Sequence, residues 1–347
     1  MLPWSPDFAG RMDHAVIDSP ALRGNPLGDP HERPIWVYLP PGYDDDTDRR
    51  YPSVYVIQGY TGQLTMWAGR TPFRRPYPEM ADAMFARGEA PPAIVVYVDA
   101  WTSVGGSQYL DSPGTGRYHT YLCEDVVGWV DARYRTIPAR DARAITGKSS
   151  GGYGAMVNAM LRPDVFGALA THAGDALFEA AHQPTFPARA RDLRDLYEGS
   201  YDRFLADFRG RIPGTRSSDM QLMEIYAYAS AYSADDDGTV RIPFDANGAL
   251  VPEVWERWLA LDPVRMARRP EYAEALRSMR AVWIDAGTRD EWYLDLGATA
   301  FREAVAAAGV PDDRVRFELF DAGHMAIEYR YPLALAWLCH RLTGFSG

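Results

Sequence analysis

The sequence predicts an α/β fold: a mostly parallel central sheet flanked by helices, with a helical cap inserted into it. Three observations carry this expectation. Short β-rich runs recur along the chain, most of them lead into a segment of helical spacing, and one interval between two runs is far too long for a simple connection.

The runs are Ile35 to Leu39, Val54 to Ile57, Ile94 to Val98, Ala144 to Thr146, Ala168 to His172, Val282 to Asp285 and Val315 to Phe320. They are continuously apolar rather than alternating, as strands covered on both faces are. Helical patterns follow at Pro78 to Arg87, Tyr121 to Tyr134, Gly152 to Leu161, Leu294 to Ala308 and Leu333 to Leu342. Strands alternating with helices imply parallel pairing through crossover connections. The first ~50 residues differ. They carry Pro20, Pro26, Pro30, Pro34, Pro40 and Pro41 and read as antiparallel edge strands and loops, because proline cannot donate to a ladder.

Between Ala173 and Ala281 lie about 105 residues, where a connection usually takes ~2–6. Residues 175–280 are therefore expected to form a helical cap within a single domain, 1–347. Helical spacing appears at Arg189 to Arg209, Asp219 to Tyr232 and Val254 to Ala260. The segment is rich in aromatics, including Phe178, Phe186, Tyr197, Phe204, Tyr226, Trp255 and Trp258. Some should build the cap's own core. Trp255 and Trp258 are expected to face substrate.

Composition narrows the function classes. Of 347 residues, 47% are hydrophobic and 24% charged, which are globular values, and the formal net charge is -11. An acidic surface disfavours a nucleic-acid partner. Cys123 and Cys339 read as buried free thiols rather than a disulfide framework. The N-terminus lacks a basic region followed by an apolar run, and no stretch approaches ~18 consecutive apolar residues. The expected setting is cytoplasmic, with no membrane partner; self-association is left open.

The chemistry centres on Gly147-Lys148-Ser149-Ser150-Gly151. This is the only G-x-S-x-G in the chain, against an expectation of order 0.1 by chance. A short strand precedes it and a helix of small residues follows, the setting of a nucleophile elbow in an α/β-hydrolase fold. The alternative is an ordinary glycine-rich turn. A serine hydroxyl needs a base, and the base needs an orienting acid. In this fold they follow in the order serine, acid, histidine. His324, in Gly323-His324 just after the last strand, is the candidate base. His172, His182 and His340 also follow Ser149, but sit at a strand end, in the insertion and in the final helix. Asp290, just after the strand ending at Asp285, is the leading acid, with Asp175 the runner-up and Glu291 and Asp295 less well placed. An oxyanion hole needs two backbone N–H groups. Ser150 and Tyr60 are the candidates.

The stretches Pro40-Pro41-Gly42-Tyr43, Gln58-Gly59-Tyr60-Thr61-Gly62, Gly105-Gly106-Ser107-Gln108-Tyr109, Thr115-Gly116-Arg117-Tyr118, the Ser149 elbow, Gly287-Thr288-Arg289-Asp290-Glu291 and Gly323-His324 together resemble the putative-esterase family. That family includes esterase D, enterochelin esterases and feruloyl esterases. The resemblance runs from about residue 17 to 175 and from about 281 to 335, and omits the insertion. It implies a serine esterase whose catalytic serine, acid and histidine fall on Ser149, Asp290 and His324. Gln58 departs from the family, which usually has histidine there; this alters the pocket wall but not the backbone donor.

The expected activity is hydrolysis of a small carboxylic ester through an acyl-enzyme, without cofactor or metal. Acyl transfer and peptide hydrolysis use the same nucleophile, and a non-catalytic binding protein is the remaining rival. Gln58, Trp67, Trp101, Tyr109, Tyr118, Tyr153 and His172, with Tyr60, are the candidate pocket residues; such an aromatic wall would suit aryl or hydroxycinnamoyl esters.

Overall fold

The computed structural model describes residues 8–71 and 73–342. Eight strands form the central sheet: β1 (Arg11–Asp18), β2 (Glu32–Leu39), β3 (Ser53–Ile57), β4 (Ile94–Val98), β5 (Arg143–Lys148), β6 (Ala168–His172), β7 (Ala281–Gly287) and β8 (Val315–Phe320). Their order is β1-β2-β4-β3-β5-β6-β7-β8. β1 pairs antiparallel with β2, and β2 antiparallel with β4; every other pair is parallel. The proline-rich N-terminal part thus supplies the antiparallel edge, as its composition suggested.

β3 to β7 are buried on both faces, which explains their unbroken apolar character. Successive side chains alternate between two cores. Val54 and Val56 join one core with α1 (Tyr77–Ala86) and the final helix, whereas Tyr55 and Ile57 join the other. That second core holds α2 (Val127–Arg133), α3 (Ser150–Leu161) and the insertion.

Between β6 and β7 the insertion is helical: α4 (Phe186–Tyr197), α5 (Tyr201–Gly210), α6 (Asp219–Tyr232), α7 (Pro252–Leu259) and α8 (Pro270–Ser278). The stretch read as one helix, Arg189 to Arg209, is two. Glu198 and Gly199 take φ of 52° and 76°, and Ser200 caps α5 by accepting the Arg203 N–H. Asp262 ties the insertion's exit to its entry, accepting the N–H of Leu177 at 3.2 Å and of Phe178 at 2.7 Å. The last two helices are α9 (Leu294–Ala307) and α10 (Tyr331–Leu342). Both cysteines are buried and neither forms a disulfide. Among the described residues no helix is long and apolar enough to cross a membrane.

Candidate active site

Ser149 joins β5 to α3 with φ 58° and ψ −130°. A non-glycine residue there costs on the order of 1–3 kcal/mol and persists only where its surroundings fix it. They do: its N–H donates to His172 O at 3.0 Å, and its carbonyl accepts the Tyr153 N–H at 2.9 Å. The flanking glycines are demanded by packing. A Cβ on Gly147 would stand 2.4 Å from Gly151 O, and one on Gly151 2.6 Å from Ile57 O. The sharp turn presses against β3 with no room for a side chain. Ser150 opens α3, so its N–H belongs to the helix's first turn and has no intrahelical acceptor.

The loops after β7 and β8 bring an acid to a base. Thr288 N–H donates to Phe320 O and Arg289 N–H to Ala322 O, each at 2.9 Å, which zips the loops together. Above this, His324 Nδ1 lies 2.7 Å from Asp290 Oδ2. Asp290 Oδ1 accepts the N–H of Trp292 at 2.9 Å and of Leu294 at 3.4 Å, so its carboxylate is oriented before it meets the ring. Glu291 Oε2 accepts the His324 backbone N–H at 2.7 Å, a bond that holds the Glu291 carboxyl below its usual range. The Trp292 ring stands edge-on to the imidazole, centroids 4.8 Å apart. Asp290 and His324 are both buried.

Ser149 and His324 line one cavity of about 510 Å³, with no hydrogen bond between them in this conformation. Gln58, Tyr60 and Trp67 line it from the sheet side; Asp175, His182, Glu224 and Tyr228 line it from the insertion side. The loop after β3 is close against the nucleophile: a Cβ on Gly59 would be 3.2 Å from Ser149 Cβ. In that loop the N–H groups of Thr61 and Gly62 go to Gly105 O and Gly59 O, whereas the N–H of Tyr60 has no acceptor among the described residues. The Tyr60 side chain is engaged elsewhere, its hydroxyl donating to Val104 O at 3.1 Å and its ring against Tyr228.

The aromatic candidates divide. Gln58 and Trp67 reach the cavity. Trp101 and Tyr109 instead line a narrow crevice behind the Gly59 loop, where Tyr109 donates to Gln58 O at 2.6 Å. Tyr118, Tyr153 and His172 are buried and line neither space. Tyr153 donates to Leu261 O at 3.2 Å, binding α3 to the insertion. His172 Nδ1 lies 2.7 Å from Asp285 Oδ1, and Asp285 Oδ2 accepts from Trp283 Nε1 and Arg330 Nε. That makes His172 a core histidine, its Nδ1 tied to the Asp285–Arg330 ion pair and its buried Nε2 without a hydrogen-bond partner among the described residues. Trp255 and Trp258, read as substrate-facing, pack with Phe186 inside the insertion, and Trp258 Nε1 donates to Ser233 Oγ at 2.9 Å. His340 is exposed on α10.

Asp175 reaches the site, but toward Ser150 rather than a histidine. Ser150 Oγ donates to Asp175 Oδ2 at 3.0 Å. Its hydroxyl therefore has a partner that sequence reasoning did not foresee. Glu224 and Tyr228, one turn apart on α6, were also not singled out; the only signal was their i, i+4 spacing. No group of three or more side chains suited to hold a metal occurs among the described residues.

An uncharacterised protein of Corynebacterium glutamicum is 25% identical over 176 residues, which is 50% of this chain and 38% of that protein. The chain thus matches well under half the length of that curated relative. Among solved structures, a ferulic acid esterase superposes with a TM-score of 0.63 at 21% identity, covering 97% of this chain and all of that one (100%). An S-formylglutathione hydrolase from Agrobacterium tumefaciens gives 0.56 at 17% identity, covering 97% and 98%. The fluorophosphonate-binding serine hydrolase F of Staphylococcus aureus gives 0.54 at 16%, covering 97% and 99%. At these identities the likeness establishes the shared α/β-hydrolase fold. Residues 30–326 match the family described as putative esterase, and the chain, on its α/β-hydrolase fold, accordingly belongs to that family.

Proposed function

We propose that the protein hydrolyses small carboxylic esters through an acyl-enzyme on Ser149, with His324 as base and Asp290 as its orienting acid. The observation that carries this reading is the Asp290–His324 pair, held at 2.7 Å by two zipped loops and facing one cavity with a strained serine. Asp290 fixes the imidazole tautomer, leaving Nε2 to take the serine proton. As Ser149 Oγ bonds to the ester carbon, the carbonyl oxygen gains charge beside the N–H groups of Ser150 and Tyr60. Collapse breaks the bond to the alcohol oxygen, which leaves with the proton from His324. Water then repeats the sequence, giving its proton to His324 and releasing the acid and free serine. The apo separation of Ser149 from His324 closes when substrate binds, as catalytic hydrogen bonds often do.

The insertion, residues 175–280, forms one wall of the cavity and serves as the cap that selects substrate. The partner is a small ester, and the three side chains supply nucleophile, base and orienter without a cofactor. Labelling with a fluorophosphonate probe tests the reading. Wild type should label and lose esterase activity together, and Ser149→Ala should do neither. A wild-type chain that fails to label, or a Ser149→Ala variant that still turns over ester, would overturn it.

A further inference from the structure

The wall that the insertion presents to the cavity has a chemistry that ester cleavage does not use. A hydrogen-bonded chain runs along it. Ser150 Oγ donates to Asp175 Oδ2 at 3.0 Å and lies 3.3 Å from Tyr228 OH, which in turn donates to Glu224 Oε1 at 3.2 Å. Gln108 Nε2 approaches Asp175 Oδ2 at 3.5 Å and donates to Tyr232 OH at 2.9 Å. Gln108 and Tyr109 both take positive φ, 51° and 55°, so strained backbone is retained to present this amide. Asp175 and Glu224 both line the cavity, and Asp175 is 3% exposed.

Among the described residues neither carboxyl has a cationic side chain in contact, and Lys148 acts on Asp175 only through space. Arg189 acts on Glu224 only through space, its own contact being with Asp192 at 3.5 Å. Arg74, Arg75 and Lys148 also line the cavity, but Arg74 meets Glu328 at 3.2 Å, and Lys148 Nζ lies 3.8 Å from Met325 Sδ beside the His324 loop. Burial pushes both acids up to about 7. A third group stands with them. His182 lines the same cavity, is 6% exposed, and its Nε2 has no hydrogen-bond partner. Burial pushes its imidazolium down to about 3, so it is a neutral ring that does not repel a cation.

We propose that Asp175, Glu224 and His182 form a subsite for the protonated amine of an amine-bearing ester. This rests on the ester hydrolysis proposed for Ser149. Buried carboxyls without a counter-ion are costly, and a ligand ammonium supplies the missing charge; a neutral hydroxyl does not. The three N–H bonds of an ammonium find acceptors in two carboxylates and an imidazole. The Tyr60 and Tyr228 rings, 5.7 Å apart, add faces that attract a cation. Asp175 accepts from Ser150, the residue next to the nucleophile, so a short spacer separates amine from ester.

Matched esters test the subsite. Ethyl 3-aminopropanoate and ethyl butanoate differ by ammonium against methyl in the acyl half. 2-(Dimethylamino)ethyl acetate and 3-methylbutyl acetate make the corresponding contrast in the alcohol half, a protonated N–H against a C–H. In at least one pair the charged ester should be preferred in kcat/KM by on the order of tenfold or more, the scale of a charged hydrogen bond. Glu224→Gln should lower kcat/KM for the charged member about tenfold more than for the neutral one. Asp175→Asn should do the same if it folds, which its thermal transition reports. n-Propylammonium should inhibit ethyl butanoate hydrolysis competitively, and propan-1-ol should not. Equal handling of both members of each pair by wild type, with ethyl butanoate still hydrolysed, overturns the subsite alone. Absence of both ester turnover and fluorophosphonate labelling overturns the parent reading instead.

Discussion

Asp290 Oδ2 lies 2.7 Å from His324 Nδ1, while the neighbouring Glu291 accepts the backbone N–H of the same histidine. Two adjacent carboxylates thus divide the work, one on the ring and one on the loop that carries it. Asp290→Asn should leave the fold intact and lower kcat by about 10⁴, because the amide presents a donor and favours the wrong tautomer. Glu291→Gln should cost far less, on the order of tenfold, by loosening the loop. Steady-state kinetics on one ester for both variants decides it; a larger loss in Glu291→Gln would assign the acid to the other residue.

Ser149→Ala should lower kcat by about 10⁴–10⁶ with an unchanged thermal transition. Ser150→Ala should retain much more activity than Ser149→Ala, because its N–H remains. It should also unfold more easily, by about 1–3 kcal/mol, since Asp175 loses the hydroxyl it accepts. If Ser150→Ala is the inactive variant, the elbow is misassigned.

Much of this arrangement was legible in the sequence because local rules govern it. Gly147 and Gly151 announce a turn with no space for side chains. Asp290 and His324 each fall just past a strand, where loops converge on the sheet's carboxyl edge. What was not legible depends on tertiary packing. Tyr118 and Tyr153 have the same composition signature as Trp67, and only the fold decides which ring meets solvent and which meets core. Glu224 reaches the cavity because α6 folds back over Ser150 from more than seventy residues away. The helix break at Glu198 was announced by Gly199-Ser200 but outweighed by the helical spacing on either side.

Burial of Trp258 changes what its substitution should do. The indole is fully buried (0%) against Phe186, Tyr232 and His182. Trp258→Ala should destabilise the protein by about 3–5 kcal/mol. It should affect esters of all sizes alike. Ile225→Ala, which opens the cavity wall, should change KM for bulky esters more than for acetates. Melting curves and an ester-size series for both variants separate core from pocket.

The buried groups on the cap-side wall also set a pH dependence of stability. Asp175 and Glu224 are pushed up to about 7 from ordinary values of 3.8 and 4.5, and His182 down to about 3 from 6.5. A raised carboxyl keeps its proton in the folded protein while the unfolded chain loses it. Its contribution is therefore complete below about pH 4 and is lost as pH rises toward 7. A depressed histidine works the other way: its contribution is complete above 6.5 and is lost as pH falls toward 3. Near pH 5.5 the folded state holds two protons on the acids where the unfolded state holds one on the imidazole. These three groups therefore make stability fall as pH rises. Between 6.5 and 7 only the acids still act, and in the same direction. Denaturant titrations of wild type and Asp175→Asn/Glu224→Gln from pH 4.5 to 8.5 read this directly. The stability of wild type relative to the variant should decline with rising pH and level off above about 7.5. A difference that stays constant, or grows with pH, would mean that the two carboxyls are ionised in the folded protein throughout.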